Sequence, residues 1–100
     1  MTITTLKNEG SVTFKLDGWL DTLSSPELAA VVDPLTEASS IVLDFENVEY
    51  IASSGLRQVV ASHRKAKELG ADFSVINVGK EVMSIFTLTG IDKKIKIVAK

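Results

Sequence analysis

The 100-residue chain contains no cysteine. Disulfides and thiolate metal sites are therefore excluded, and a reducing compartment is compatible with it. It also lacks an excess of positive charge: eleven basic against thirteen acidic side chains leave a formal net charge of −2. That is the wrong balance for a surface that must displace counterions from phosphates, so nucleic acid is not an expected partner. Long hydrophobic runs are missing too. The longest, Leu28 to Val32, is far short of a membrane span, and the opening MTITTLKNEG has no apolar stretch of signal-peptide length. No membrane partner is expected, and the reading is a cytoplasmic protein. No glycine-rich phosphate loop occurs, which speaks against intrinsic ATP hydrolysis.

What is present is a globular composition, 45% hydrophobic and 24% charged, in a length that suits one small domain over residues 1–100. The hydrophobic period changes along the chain. SVTFKLDG (11–18) alternates as a half-buried strand ended by Gly18, and MTITTL is its hairpin partner across a KNEG turn. SSPELAAVVDPLTEAS (24–39) reads as a helix with Ser24 and Glu27 at capping-box spacing and Pro26 in the first turn; Pro34 should kink or shorten it. SIVLDF (40–45) is apolar on both sides, the pattern of an inner strand covered on both faces. After the loop ENVEYIASSG comes a helix over 56–69. Leu56, Val59, Val60, His63 and Ala66 form its stripe, and Gly70 ends it. DFSVINV is a strand, KEVMSIFTLTG a third helix, and KIKIVAK a strand whose alternate charges suit an edge. Strands joined through helices imply parallel neighbours and right-handed crossovers. The expected fold class is α/β: a mixed five- or six-stranded sheet with about three to four packed helices.

The stretch EYIASSGLRQVV (49–60) places two serines and a glycine between an inner strand and a helix. Residues just outside the carboxyl end of such a strand are where sites gather in open α/β sheets. Two readings stand. Ser53 or Ser54 caps the free N–H groups of the helix start and does nothing more. Alternatively one serine accepts a phosphate, which the positive helix end would favour, while Gly55 lets another molecule approach the backbone.

The segment LDFENVEYIASSGLRQVV resembles the signature of the STAS domain, in particular the small anti-sigma-factor antagonists. LDGWLDTLSSPEL is similar to the segment between the second strand and first helix of that family, and VMSIFTLTGIDKKIKI to its last helix, glycine and strand. The resemblance covers nearly the whole chain. It implies a STAS-like fold and a phospho-switched protein-binding module rather than an enzyme, with no cofactor. It implies phosphorylation at Ser53, the first serine of the pair, with Asp21 nearby, and a partner-binding surface of Asp21, Ser53, Ser54, Gly55, Leu56 and Arg57. The implied partners are an anti-sigma factor with serine kinase activity and a serine phosphatase. A weak homodimer is a further expectation. The alternative is a non-phosphorylated STAS scaffold subunit of a transporter ATPase or a stress-signalling complex. The sequence departs from the family pattern at Ala52, where an Asp is common, and at Arg57, where many members have Gly. Arg57 is either an exposed solvated residue or a partner for a phosphate on Ser53 or an acidic surface.

The remaining chemistry-bearing residues point elsewhere. His63 is the only histidine, and on the same helix it would lie roughly 14 Å from the serines, too far for a base that must work at about 3 Å. It reads as a histidine at the edge of the core. Asp44, Glu46 and Glu49 lack metal-ligand spacing and read as an acidic rim that selects a basic partner surface. Trp19, after Gly18, is either a cap over the sheet end or an exposed anchor for a partner.

Overall fold

The computed structural model describes residues 1–100. The chain begins with a hairpin, β1 (Thr2–Asn8) and β2 (Ser11–Leu20), followed by α1 (Ser25–Val32) and β3 (Ser40–Ile51). Then come α2 (Ser53–Leu69), β4 (Asp72–Val78), α3 (Lys80–Thr89), a 3₁₀ turn (Ile91–Lys93) and β5 (Lys96–Ala99). The hairpin loop is only Glu9–Gly10, both at positive φ (50° and 92°). That is the mirror-image turn geometry whose twist matches that of the strands it joins.

The sheet has five strands in the order β1-β2-β3-β4-β5. β1 and β2 are antiparallel, and β2–β3, β3–β4 and β4–β5 are parallel. Three crossovers that all step the same way, each right-handed, place α1, α2 and α3 on one face. Burial agrees. Val12, Phe14, Leu16, Ile41, Leu43, Phe45 and Val75 are buried toward the helices, while Thr13, Val42 and Ser74, which are neighbours in register, are only half-buried on the other face. The reading of 40–45 as a strand covered on both faces is therefore corrected. Val42 sits between Thr13 and Ser74 on an open face, where a β-branched residue is favoured by the pleat without needing a cover.

Two boundaries differ from the sequence reading in ways that matter for the site. β2 does not end at Gly18 but passes through it (φ 122°) to Leu20, so Trp19 lies in a strand. β3 continues through most of the expected loop to Ile51, pairing Asp17, Gly18, Trp19 and Leu20 with Asn47, Val48, Tyr50 and Ile51. Register shifts between Lys15 and Asp17 and between Gly18 and Trp19 absorb the extra residues. Such bulges let polar residues such as Glu46 and Glu49 face solvent while Val48 and Ile51 stay buried. The β2–β3 pair therefore projects beyond the last pairing of β4, and it carries the starts of α1 and α2 with it.

The helices follow their local chemistry. α1 stops at Val32, earlier than the expected 39, because Pro34 has no N–H to continue the ladder. On α2 the fully buried line is Gly55, Val59, Ser62 and Ala66, with Leu56, Val60 and His63 half-buried beside it. Small residues on that line let the helix lie close to the sheet, and Ser62 satisfies its hydroxyl by donating to the Gln58 carbonyl at 2.9 Å. Gly70 ends α2 in the left-handed region (φ 68°); its N–H and that of Ala71 return to the carbonyls of Lys67 and Ala66.

Candidate functional site

The site is built where two connections meet at the carboxyl ends of β2 and β3. The β3–α2 connection is a single residue, Ala52, in extended conformation (φ −94°, ψ 172°). Its N–H donates to the Leu20 carbonyl at 2.9 Å, and its own carbonyl accepts the first helical bond from Leu56 at 3.0 Å. Ala52 is thus the N-cap, and both serines lie inside the first turn. The expectation that Ser53 or Ser54 caps the helix is corrected: no side chain caps α2, and no acidic residue lies in its first turn. The leading N–H groups therefore have no capping side chain, and the positive end of the helix dipole has no acidic residue in the first turn to offset it.

Ser53 is exposed at the first helical position, whereas Ser54 is half-buried and exchanges a 3.2 Å hydrogen bond with the hydroxyl of Thr22. Gly55 is buried. A Cβ there would run into the Leu20 carbonyl oxygen and lie 2.9 Å from Cγ1 of Ile51. The molecule that approaches Gly55 is the chain itself, through the end of β2, and not a partner; its absent side chain serves helix-to-strand packing. Leu56 is half-buried and Arg57 exposed. Arg57 follows Ser53 by four residues and so shares its face of the helix.

The facing connection, residues 21–24, is organised by Asp21. One carboxylate oxygen accepts from the Leu23 N–H, the Ser24 N–H and the Ser24 hydroxyl, each at 3.1 Å. The Ser24 N–H, foremost, holds the carboxyl below its ordinary value of 3.8, with the Ser24 hydroxyl and Leu23 N–H adding to it against partial desolvation. Ser24 does occupy the N-cap of α1 but makes no capping bond. Its hydroxyl shares its one proton between that carboxylate and the Trp19 carbonyl, the latter at 2.5 Å, and accepts from the Asp21 N–H at 2.9 Å.

Of the six expected surface residues, Asp21 lies on the β2–α1 connection, Ser53, Ser54, Leu56 and Arg57 lie in the first turns of α2 beside it, and Gly55 is buried beneath them. Two others were not singled out from the sequence. Thr22 ties the β2–α1 connection to the start of α2 through Ser54, and Leu23, next to it in the connection, has 87% of its surface exposed. An apolar residue inside a polar turn, DTLSS, was the available signal. Neither Ser53 nor Asp21 lines any of the five main depressions of the surface. Leu56 and Arg57 border an open depression with Val60, Arg64 and Ile91, and Ser53 and Asp21 lie outside it, an arrangement that suits contact with another macromolecule more than capture of a small ligand.

The acidic rim needs one correction. Asp44 is buried and accepts from the Glu46 N–H and from Nδ2 of Asn77, both at 3.0 Å, so it braces the β3–β4 pair. Only Glu46 and Glu49 remain exposed. Trp19 is exposed and packs against Tyr50, the ring centroids 5.5 Å apart and the planes tilted by 57°. His63 packs against Phe73 at 5.5 Å, and burial first, then the charge of Lys67, lowers its pKa below 6.5.

A mixed sheet with all its helices on one face, and a helix start at the carboxyl end of its longest strand, defines a small α/β domain with a surface-borne site. The chain belongs to the STAS domain family, whose model matches residues 2–100. The anti-sigma-B factor antagonist of Bacillus subtilis is 27% identical over 95 residues, covering 94% of this chain and 87% of the relative. An anti-sigma factor antagonist from Mycobacterium paratuberculosis superposes with a TM-score of 0.82 at 23% identity, over 99% of this chain and 86% of that one. The Bacillus cell fate determinant SpoIIAA in its phosphorylated form does so with a TM-score of 0.76 at 16% identity, over 99% and 93%. These two likenesses establish the shared fold.

Proposed function

We propose that this chain is an anti-sigma-factor antagonist that binds an anti-sigma factor with serine kinase activity while Ser53 is unmodified. In this reading the partner transfers phosphate from ATP to Ser53 and lets go, and a serine phosphatase restores the hydroxyl. The observation that carries the reading is the state of Ser53: exposed, at the first position of a helix with neither a capping side chain nor an acidic residue in its first turn. A phosphate there brings about −1.5 to −2 charges to a helix end that attracts anions. Arg57, one turn on, can pair with it. The core is untouched, so the modification acts on the surface alone. Ser54, engaged with Thr22, is the poorer acceptor.

The contact surface is made by Asp21, Leu23, Ser53, Leu56 and Arg57. Leu23 supplies exposed apolar area, and the charged groups set orientation. A phosphate introduced in the middle of such a contact meets the partner's phosphate-handling chemistry, and misplaced like charge costs several kcal/mol, where each 1.4 kcal/mol is about tenfold in affinity. The test uses the chain, ATP and the anti-sigma factor kinase. A mass increase of one phosphate is expected on the peptide holding Ser53 and Ser54, and its loss in Ser53→Ala. By calorimetry, Ser53→Ala should keep partner affinity and Ser53→Asp should lower it. Equal affinities for all three proteins would overturn the switch.

A further inference from the structure

The sheet has two edges, and they are built differently. β5 is four residues long, has a register shift opposite Val75 and Val78, begins at Lys96 and is followed by Lys100. Shortness, a bulge and lysines are the devices by which proteins keep an edge from pairing with another chain. β1 is longer and free of bulges, and its single lysine, Lys7, lies next to its end. Its seven residues pair with β2 in unbroken register from Thr2↔Asp17 to Asn8↔Ser11. From Thr2 to Leu6 it has no charge, no proline and no glycine, and four of those five residues are β-branched. All of β1 except Ile3 is exposed, including Leu6 at 52%. Its outward N–H and C=O groups have no partner, because β1 lies at the end of the strand order.

We propose that β1 is a self-association edge: two copies pair β1 to β1 antiparallel, about a twofold axis at Thr4, and so join their sheets into one. The occupant is identified by self-complementarity. In an antiparallel pair centred on Thr4, Ile3 faces Thr5 of the second copy and Thr2 faces its Leu6, while Lys7 falls opposite Met1. The amino terminus of Met1 is held 3.7 Å from a carboxylate oxygen of Glu27, and between Thr2 and Leu6 no charges meet at all. Directly opposed residues share a face, so Leu6 packs on the open side of the sheet and Ile3 on the helix side. Both gain cover where they now have little. The association is isologous and closes at two copies, because each chain offers one such edge. The surface is small, which places the dissociation constant between about 10 µM and about 1 mM. The edge lies away from the α2 start, so the inference does not depend on the proposed phospho-switch.

Sedimentation equilibrium of the whole chain from about 10 µM to about 1 mM tests it. A monomer–dimer equilibrium is expected. Thr4→Lys, which sets two ammonium groups against each other at the twofold, and separately Leu6→Glu should each weaken it by at least about tenfold. Val98→Lys on the opposite edge should leave it unchanged, with circular dichroism confirming the fold of each variant. Hydrogen exchange gives a second readout, since β1 amides should become protected as concentration rises and β5 amides should not. A monomer across the whole range would overturn the proposal. So would a dimer that tolerates both β1 substitutions, or protection that appears at β5 instead. Failure here leaves Ser53 phosphorylation untouched, and failure of the switch leaves the dimer untouched.

Discussion

Of the three Ser-Ser pairs in the chain, Ser39–Ser40 leads into β3, and the other two stand where a strand hands over to a helix. Ser24 and Ser25 stand at the start of α1, and Ser53 and Ser54 at the start of α2. Their fates are opposite. Ser24 and Ser25 are 4% and 7% exposed, and their hydroxyls donate to the carbonyls of Trp19 and Asp21 at 2.5 and 2.6 Å. Ser53 is exposed, and Ser54 has one long bond to a neighbouring hydroxyl. The cause is the length of the connection. Four residues between β2 and α1 can fold back and enclose their own serines in an Asp-centred turn. One residue between β3 and α2 cannot, so those serines enter the helix at once and point out. The same dipeptide is structural where the loop is long enough to use it and chemically available where the loop is too short.

The largest expected effect probes how tightly the short connection is seated. Gly55→Ala places a methyl group against the Leu20 carbonyl and the Ile51 side chain. Neither a backbone carbonyl nor a buried isoleucine can swing aside, so a loss of about 3 kcal/mol is expected on denaturant unfolding, with α2 displaced from β2. A loss under about 0.5 kcal/mol would show that the α2 start is loosely held.

The second prediction contrasts the two pairs directly. Ser24→Ala removes a donor to the Trp19 carbonyl and an acceptor of the Asp21 N–H, both part-buried, and should cost about 1–3 kcal/mol. Ser53→Ala removes a hydroxyl that bonds nothing and should stay within about 0.5 kcal/mol. If the two substitutions cost the same, the distinction between structural and available serines fails. This contrast also marks what could be read in advance. The strand-helix order, the serine pair between an inner strand and the second helix, and the glycine helix stops follow from periodicity and small-residue chemistry, which are local; that the helix starts at Ser53 rather than Leu56 does not. The division of labour between the pairs depends on connection length. That length was hidden because Glu46, Asn47 and Glu49 look like loop residues, while two register shifts let them ride on a strand. Gly55 was open to two interpretations for a similar reason. A missing side chain signals close approach, but only the fold says that Leu20 is what approaches. Thr22 and Leu23 could not be placed beside Ser53 without the β2–β3 pairing that brings the two connections together.

A third prediction turns the exposed joint toward the buried one. Ala52→Asp supplies the cap that α2 lacks, at a residue whose extended backbone already suits an N-cap, and should stabilise the chain by about 1 kcal/mol. The added carboxylate would occupy the N–H groups and the positive end that a phosphate on Ser53 would otherwise meet. The further stabilisation on phosphorylation should therefore be smaller in this variant than in the parent. Melting of both proteins with and without phosphate checks it, and an undiminished gain would mean that the helix end does not contribute to holding the phosphate.

The smallest effects are those of acid, and they too separate the joints. Asp21 has its carboxyl held below 3.8, so its turn adds stability that is complete above that value and is lost as pH falls through the lower folded one. His63, lowered below 6.5 by burial and Lys67, acts in a higher window. As pH falls from 6.5 the unfolded chain takes up the proton first, and stability declines until the folded value is reached. Asp21→Asn should flatten the loss below pH 3.8 and leave the upper window alone, while His63→Gln should do the reverse. Denaturant midpoints across a pH series read both. Ser53, with no titrating neighbour in its first turn, should imprint no acid dependence until it carries a phosphate, whose second ionisation near pH 6 would then add a window of its own. An unchanged slope below pH 3.8 in Asp21→Asn would mean that the hydrogen bonds to that carboxylate do not hold the β2–α1 turn.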